Sequence, residues 1–254
     1  MIGGYAKAGD YMSYSTFREY MRSGIRPDNF TLPLVMKVCR DTKDLVMGRL
    51  MHNVVYKLGF SSYCFVAAVL VDMYAKWAMH KAKIVDDYIR SMKFSLDVIL
   101  GTAVIDMHAK CGNIEFAREI FDKMREKNVI SWSTMIAAHG YHGEGEKSLD
   151  LFRMMLGEGI LPNSITFVLL LYSCSHSGLV EEGLRLFTLM QEENGVRPDV
   201  KHFTCVVDLF GRAGKLDQAL KMIEDMNIEK DAGLWGALLS ACRIHGREGC
   251  RVPY

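Results

Sequence analysis

The sequence predicts an all-α protein, a right-handed α-solenoid of stacked helix-turn-helix repeats. Three observations carry that prediction: an internal period of 31–36 residues, an apolar stripe at helical spacing in each period, and a glycine at a fixed place before the stripe. The segments "KCGNIEFAREIFDKM" (110–124), "YHGEGEKSLDLFRMM" (141–155), "HSGLVEEGLRLFTLM" (176–190) and "RAGKLDQALKMIEDM" (212–226) show all three. Their stripes are Ala117/Phe121/Met124, Ser148/Phe152/Met155, Gly183/Phe187/Met190 and Ala219/Ile223/Met226. A spacing of i, i+4, i+7 places a small, a large and a Met side chain on one helix face. Gly112, Gly143, Gly178 and Gly214 precede the stripes and fit the left-handed residue that closes an earlier helix.

That earlier helix is predicted over "VILGTAVIDMHAK" (98–110), "VISWSTMIAAHG" (129–140) and "HFTCVVDLFGRA" (202–213). After each second helix comes a turn, as in "GIRPD" (24–28), "GILPN" (159–163) and "GVRPD" (195–199), where Pro stops the helix. Cutting after the turns gives units 1–28 (partial), 29–63, 64–97, 98–128, 129–163, 164–199, 200–231 and 232–254 (partial). A glycine recurs at the corresponding place in six of the eight: Gly9, Gly112, Gly143, Gly178, Gly214 and Gly246, with Lys43 and Ala78 the exceptions. One helical hairpin cannot bury its own apolar face, so stability must come from stacked neighbours. Residues 1–254 are therefore expected to form a single solenoid, with the first helix of each unit on its concave side.

Half of the 254 residues are hydrophobic, enough for an extended core. Lys and Arg total 31 against 30 Asp and Glu, a net charge of +1. Such balance argues against indiscriminate nucleic-acid binding by counterion release, while leaving room for recognition by a few side chains. Of seven cysteines, Cys39, Cys174 and Cys242 share one repeat position. They are expected to be small buried core residues and no disulfide framework. The richest apolar stretch, "TFVLLLYSC" (166–174), falls far short of the about 18 residues a membrane span needs, so no membrane partner is expected.

Signals of catalysis are weak. His142-Gly143-Glu144 matches half of a zinc deaminase signature, but the Cys-x-x-Cys half occurs nowhere. "GYHGEGEKS" (140–148) has Glu146 where a phosphate loop needs Lys. The remaining histidines are scattered among units. No enzyme activity, metal, cofactor or small-molecule substrate is expected.

"MIGGYAKAG" (1–9), "VDMYAK" (71–76), "IDMHAKCGNIEFAREIFDKMREKNVISWSTMIAAHG" (105–140), "SITFVLLLYSCSHSGLVEEGLRLF" (164–187), "CVVDLFGRAGKLDQALKMIEDM" (205–226) and "LWGALLSACRIHG" (234–246) resemble plant pentatricopeptide repeat proteins. The alternating unit lengths resemble the PLS subclass, whose members are mostly organellar C-to-U RNA editing factors. Several departures stand out. Met1 falls inside a first helix and no transit peptide is visible. The unit 64–97 resembles a short-type repeat joined to a long-type one, and 232–254 resembles the start of a C-terminal extension, without a deaminase domain. The chain thus resembles a member truncated at both ends.

The resemblance implies binding of single-stranded RNA in a mitochondrion or chloroplast, with a deaminase or editing cofactor proteins supplied in trans. It also implies that the fifth and last residues of each unit read one base. Thr102 with Asn128, and Ser133 with Asn163, resemble pairs that favour adenine; Thr204 with Asp231 resembles a guanine pair. Ile99, Ile130 and Ile165, at second positions, would wedge between bases, and Lys201 would meet a phosphate. Pro33, Ala68 and Val168 cannot hydrogen-bond a base edge and would be spacers. Each of these residues also has an ordinary structural role open to it. Hydroxyl and amide side chains cap helices, and isoleucines fill cores. Two alternatives to an RNA adaptor are a protein-binding scaffold of the tetratricopeptide kind and a non-functional truncated product.

Overall fold

A computed structural model describes residues 19, 22–24, 26–42, 44–60, 63–77 and 97–245. Gly9, Lys43, Ala78, Gly246, residues 82–96 of the hybrid unit and the C-terminal "REGCRVPY" lie outside the described residues. Among the described residues there are twelve α-helices and no strand. They fall into two compact sets, one ending at Lys127 and one beginning at Asn128.

The first set holds α1 (Thr31–Thr42), α2 (Leu45–Lys57), α3 (Cys64–Trp77), α4 (Val98–Lys110) and α5 (Ile114–Lys123). Helix α3 packs against both α1 and α4, while α2 covers α1 and α5 covers α4. Leu32, Val35 and Met36 of α1, Leu70 and Met73 of α3, and Val104, Ile105 and Met107 of α4 are fully buried. Each large side chain removed from water contributes roughly 1.5–3 kcal/mol.

The second set holds α6 (Val129–Tyr141), α7 (Gly145–Gly157), α8 (Ser164–Ser177), α9 (Val180–Glu192), α10 (Val200–Arg212), α11 (Leu216–Asp225) and α12 (Ala232–Ile244). Helices α6, α8, α10 and α12 pack in sequence, each on the next. Helix α7 rests against α6 and α8, α9 against α8 and α10, and α11 against α10 and α12. Every second helix thus fills the seam between two first helices. Trp132, Met135, Ile136, Leu151 and Phe167 are buried in this core, and the Phe152 and Phe167 rings stand edge to face at 5.9 Å.

Predicted helix bounds hold closely. Residues 98–110 are helical as expected, and 129–140 runs one residue further. The helix expected at 202–213 spans Val200–Arg212, because the Asp199 carboxylate accepts from the Lys201 and His202 N–H groups and starts it earlier. The stripe residues are buried as expected, except that Phe187 is half-exposed and meets Phe203 edge to face. Gly112, Gly143, Gly178 and Gly214 all take left-handed φ, between 70° and 79°. At Gly178 this closes α8: its N–H returns to the Cys174 and Ser175 carbonyls, a conformation that costs a residue with a Cβ free energy.

Helices α10 and α12 approach through Gly211, where an added Cβ would lie 2.5 Å from the Ala241 Cβ. Cys39 and Cys174 are buried thiols, as expected for their repeat position. Burial pushes the Cys174 thiol up to about 12. Cys242, at the same repeat position, is also buried.

Candidate nucleic-acid interface

Except at Tyr63, the side chain of the residue that ends a unit accepts from backbone N–H groups at the start of the next unit's first helix. In the first set, Asp28 accepts from the Phe30 and Thr31 N–H groups, and Asp97 from Leu100 N at 2.8 Å. In the second set, Asn128 Oδ1 accepts from Ile130 N and Ser131 N, both at 3.0 Å. Asn163 Oδ1 accepts from Thr166 N at 3.0 Å, and Asp231 Oδ1 accepts from Leu234 N at 2.8 Å. Each cap engages one oxygen and leaves the rest of the side-chain head group outside it. A backbone N–H requires an oxygen acceptor, so the cap fixes which way each amide faces. Asn128 and Asn163 turn their NH2 groups away from the cap as donors, and Asp231 turns its second oxygen away as an acceptor. All three residues are exposed.

At the fifth positions the hydroxyl hydrogens are engaged inside the protein. Thr102 Oγ1 donates to the Val98 carbonyl at 2.6 Å and Thr204 Oγ1 to the Val200 carbonyl at 2.7 Å. Both side chains are half-buried, and each keeps oxygen lone pairs that can accept. Ser133 is buried, 6% exposed, and its Oγ lies 2.9 Å from Thr166 Oγ1. Ser133 and Asn163 are thereby brought together through Thr166, which bonds both. No hydrogen bond joins Thr204 to Asp231.

The second positions are exposed. Ile99 is 55%, Ile130 60% and Ile165 65% accessible, so none belongs to the core. Phe30 and Phe65 occupy the same place in their units and are also exposed, two aromatic faces that sequence reasoning passed over. Their register was the available signal, since each follows a unit boundary by two residues. Lys201 replaces the apolar residue in its unit with an exposed cation. At the other fifth positions, Pro33 and Ala68 are buried, and the Val168 carbonyl accepts from Cys205 Sγ at 3.7 Å.

A second strip lies at the opposite ends of α6, α8 and α10. Tyr141 and Tyr172 meet edge to face at 5.4 Å, and Tyr172 stacks on His176 at 3.9 Å. Arg212 approaches His176 Nε2 at 3.3 Å and donates through Nε to Asp208 at 2.8 Å, which also accepts from Ser175 Oγ. Burial raises the Tyr172 phenol above its usual value, which keeps it a neutral stacking surface. Glu144 of the deaminase-like triplet accepts from Lys147 and bonds His139 instead of facing an open site. Among the described residues no cluster of three or more His, Cys, Asp or Glu could hold a metal ion, and no helix is long and apolar enough to cross a membrane.

Uncovered apolar residues beside oriented caps, repeated at one register, define a helical-repeat protein with a periodic polar and apolar surface. The PPR repeat family matches residues 127–176, and its single repeat matches 102–129, 165–195 and 194–227. The chain belongs to the pentatricopeptide repeat family. It is 36% identical over 249 residues to the chloroplastic pentatricopeptide repeat-containing protein CRR2 of Arabidopsis thaliana, covering 97% of this chain and 33% of that protein. It is 47% identical over 182 residues to a mitochondrial member from the same plant, covering 72% of this chain and 33% of that one. The chain spans 18–33% of the length of the curated relatives it matches.

Among solved structures, it is similar to maize PPR10 in complex with an 18-nt psaJ RNA element. That match has a TM-score of 0.77 at 15% identity and covers 96% of this chain and 37% of that chain. The PPR domain of Arabidopsis protein-only RNase P 1 in complex with tRNA matches at TM-score 0.53 and 14% identity, covering 68% of this chain and 95% of that domain. These likenesses establish the fold, an all-α helical-repeat solenoid.

Proposed function

We propose that this chain binds single-stranded RNA sequence-selectively through the amino-terminal ends of its first helices. The observation that carries the reading is the orientation of the caps. Asn128 and Asn163 offer donors, while Thr102 and Ser133 offer acceptor oxygens. Donor plus acceptor matches the edge of adenine, where an amino group adjoins a ring nitrogen; cytosine shares that pattern. Thr204 and Asp231 offer acceptors alone, which suits the N1–H and amino donors of guanine.

The message is two adjacent adenines facing units 98–128 and 129–163, a spacer at 164–199, then guanine at 200–231. Ile99, Ile130 and Ile165 lie uncovered, ready to wedge between bases, and Lys201 is available for a phosphate. The Tyr141–Tyr172–His176–Arg212 strip adds stacking surface and positive charge. RNA in the complexes of PPR10 and of the RNase P domain supports the ligand class.

In the cell, the chain acts as the specificity factor for C-to-U editing in a mitochondrion or chloroplast, as in the PLS subclass. It positions a cytidine for a deaminase supplied in trans. Relatives named for both organelles support the location. A direct test titrates the protein with one single-stranded RNA carrying this message and with the same RNA paired to its complement, at low salt. Preference for the single strand is expected, because only unstacked bases expose their edges. Equal binding of the duplex, or none of either, would remove the proposal.

A further inference from the structure

The two base-reading residues of unit 129–163 are wired together by a third residue from the next unit. Thr166 Oγ1 lies 2.9 Å from Ser133 Oγ and 3.1 Å from Asn163 Oδ1, and it accepts from Asn163 N at 3.2 Å. Ser133 and Thr166 are both buried, so their hydroxyl hydrogens need partners. Only one arrangement satisfies both: Ser133 donates to Thr166, and Thr166 donates to Asn163 Oδ1. In the reverse arrangement Thr166 donates to Ser133, whose own hydrogen is then left without an acceptor.

The consequence falls on the surface offered to a base. Asn163 Oδ1 is held by two donors, the Thr166 N–H and O–H, so the amide cannot flip and its NH2 faces outward. Ser133, its hydrogen engaged, offers a lone pair and no donor. Among the described residues this chain of hydroxyls occurs once. At α4 the residue in the place of Thr166 is Leu100, and at α10 it is His202, whose Nε2 reaches the Ser164 carbonyl instead.

We propose that Thr166 is the residue that sets base specificity at unit 129–163, by fixing Ser133 as an acceptor and Asn163 as a donor. It is a positioning residue and touches no base itself. This deepens the RNA-binding reading and rests on it.

The test uses the full chain with four RNAs that carry A, C, G or U opposite unit 129–163 and are otherwise identical. Wild type, Thr166→Val, Thr166→Ser and Ser133→Ala are titrated against each, and their thermal melts are recorded. Wild type is expected to favour adenine or cytosine over guanine and uracil by about tenfold, the value of one well-placed hydrogen-bond pair. Thr166→Val should bring that ratio to within about twofold while affinity for the rest of the RNA persists, and Thr166→Ser should restore it. If Thr166→Val lowers the melting temperature, the ratio is read below that melt, where Ser133→Ala should give the same loss of discrimination. An unchanged ratio in folded Thr166→Val, with wild type discriminating normally, would overturn the role of Thr166 alone. Failure of wild type to bind any of the four would overturn the RNA reading, and this inference with it.

Discussion

His202 Nε2 lies 3.0 Å from the Ser164 carbonyl, joining the third residue of α10 to the first residue of α8. A carbonyl accepts only, so Nε2 carries the hydrogen, while Nδ1 lies 2.6 Å from Asp199 Oδ1 and 3.1 Å from Asp199 N. The ring is fully buried and ties the starts of two successive first helices together. His202→Ala should therefore destabilise the protein by about 1–3 kcal/mol, leaving a carbonyl and an N–H unpaired. Chemical unfolding measures this, and a change within about 0.5 kcal/mol would show that the link carries no weight.

Ile130 and Ile165 are uncovered, which separates stability from binding. Ile130→Ala and Ile165→Ala should alter unfolding free energy by no more than about 0.5 kcal/mol. Each should weaken binding to single-stranded RNA by about 1 kcal/mol, the low end for base stacking, because an aliphatic wedge offers less than an aromatic. Paired melts and titrations decide it. Loss of stability without loss of affinity would return both residues to a structural role.

Contact between α10 and α12 leaves no room for a methyl group at Gly211. The obstacle there is the Ala241 Cβ, anchored to backbone and unable to swing aside. Gly211→Ala should cost about 1–3 kcal/mol through forced separation of the helices, despite the better helix propensity of alanine. A thermal melt equal to or above wild type would contradict this packing.

Glu144 gives a pH dependence with a definite sign. Hydrogen bonds from Lys147 and then His139 hold its carboxyl below the ordinary value of 4.5. A depressed folded value means that its contribution is complete above 4.5 and is lost as pH falls through the lower folded value. Wild type should thus lose stability relative to Glu144→Gln as pH drops below about 4.5, with the two curves parallel above it. Denaturant midpoints across pH 3–7 would reveal parallel curves throughout if the contacts contribute nothing.

Much of this architecture was legible in the sequence because it repeats. Gly112, Gly143, Gly178 and Gly214 share one register, and a turn that needs left-handed φ selects glycine at each. The stripes through Phe121, Phe152 and Ile223 signalled their buried faces by spacing alone. The site was legible only in part. An isoleucine at the start of a helix has the same composition whether buried or bare, so Ile99, Ile130 and Ile165 needed coordinates to be seen as uncovered. The bond between Ser133 and Thr166 spans 33 positions and depends on how two helices lean together, which no local pattern encodes. Asn128 and Asn163 are open to both roles in the sequence; the structure shows the cap, with Oδ1 held by backbone N–H groups, and the reading of bases by these residues is the proposal above.

The central claim, that cap side chains read bases, is tested most directly by changing the group they present. Asn128→Asp/Asn163→Asp keeps both cap oxygens while replacing each outward donor with an acceptor. Wild type and the double variant would be titrated with two single-stranded RNAs that carry adjacent adenines or adjacent guanines opposite units 98–128 and 129–163. Wild type should prefer the adenines and the variant the guanines, an inversion of preference at unchanged thermal stability. If both proteins bind the two RNAs equally, or the variant keeps the preference for adenine, the caps do not read bases.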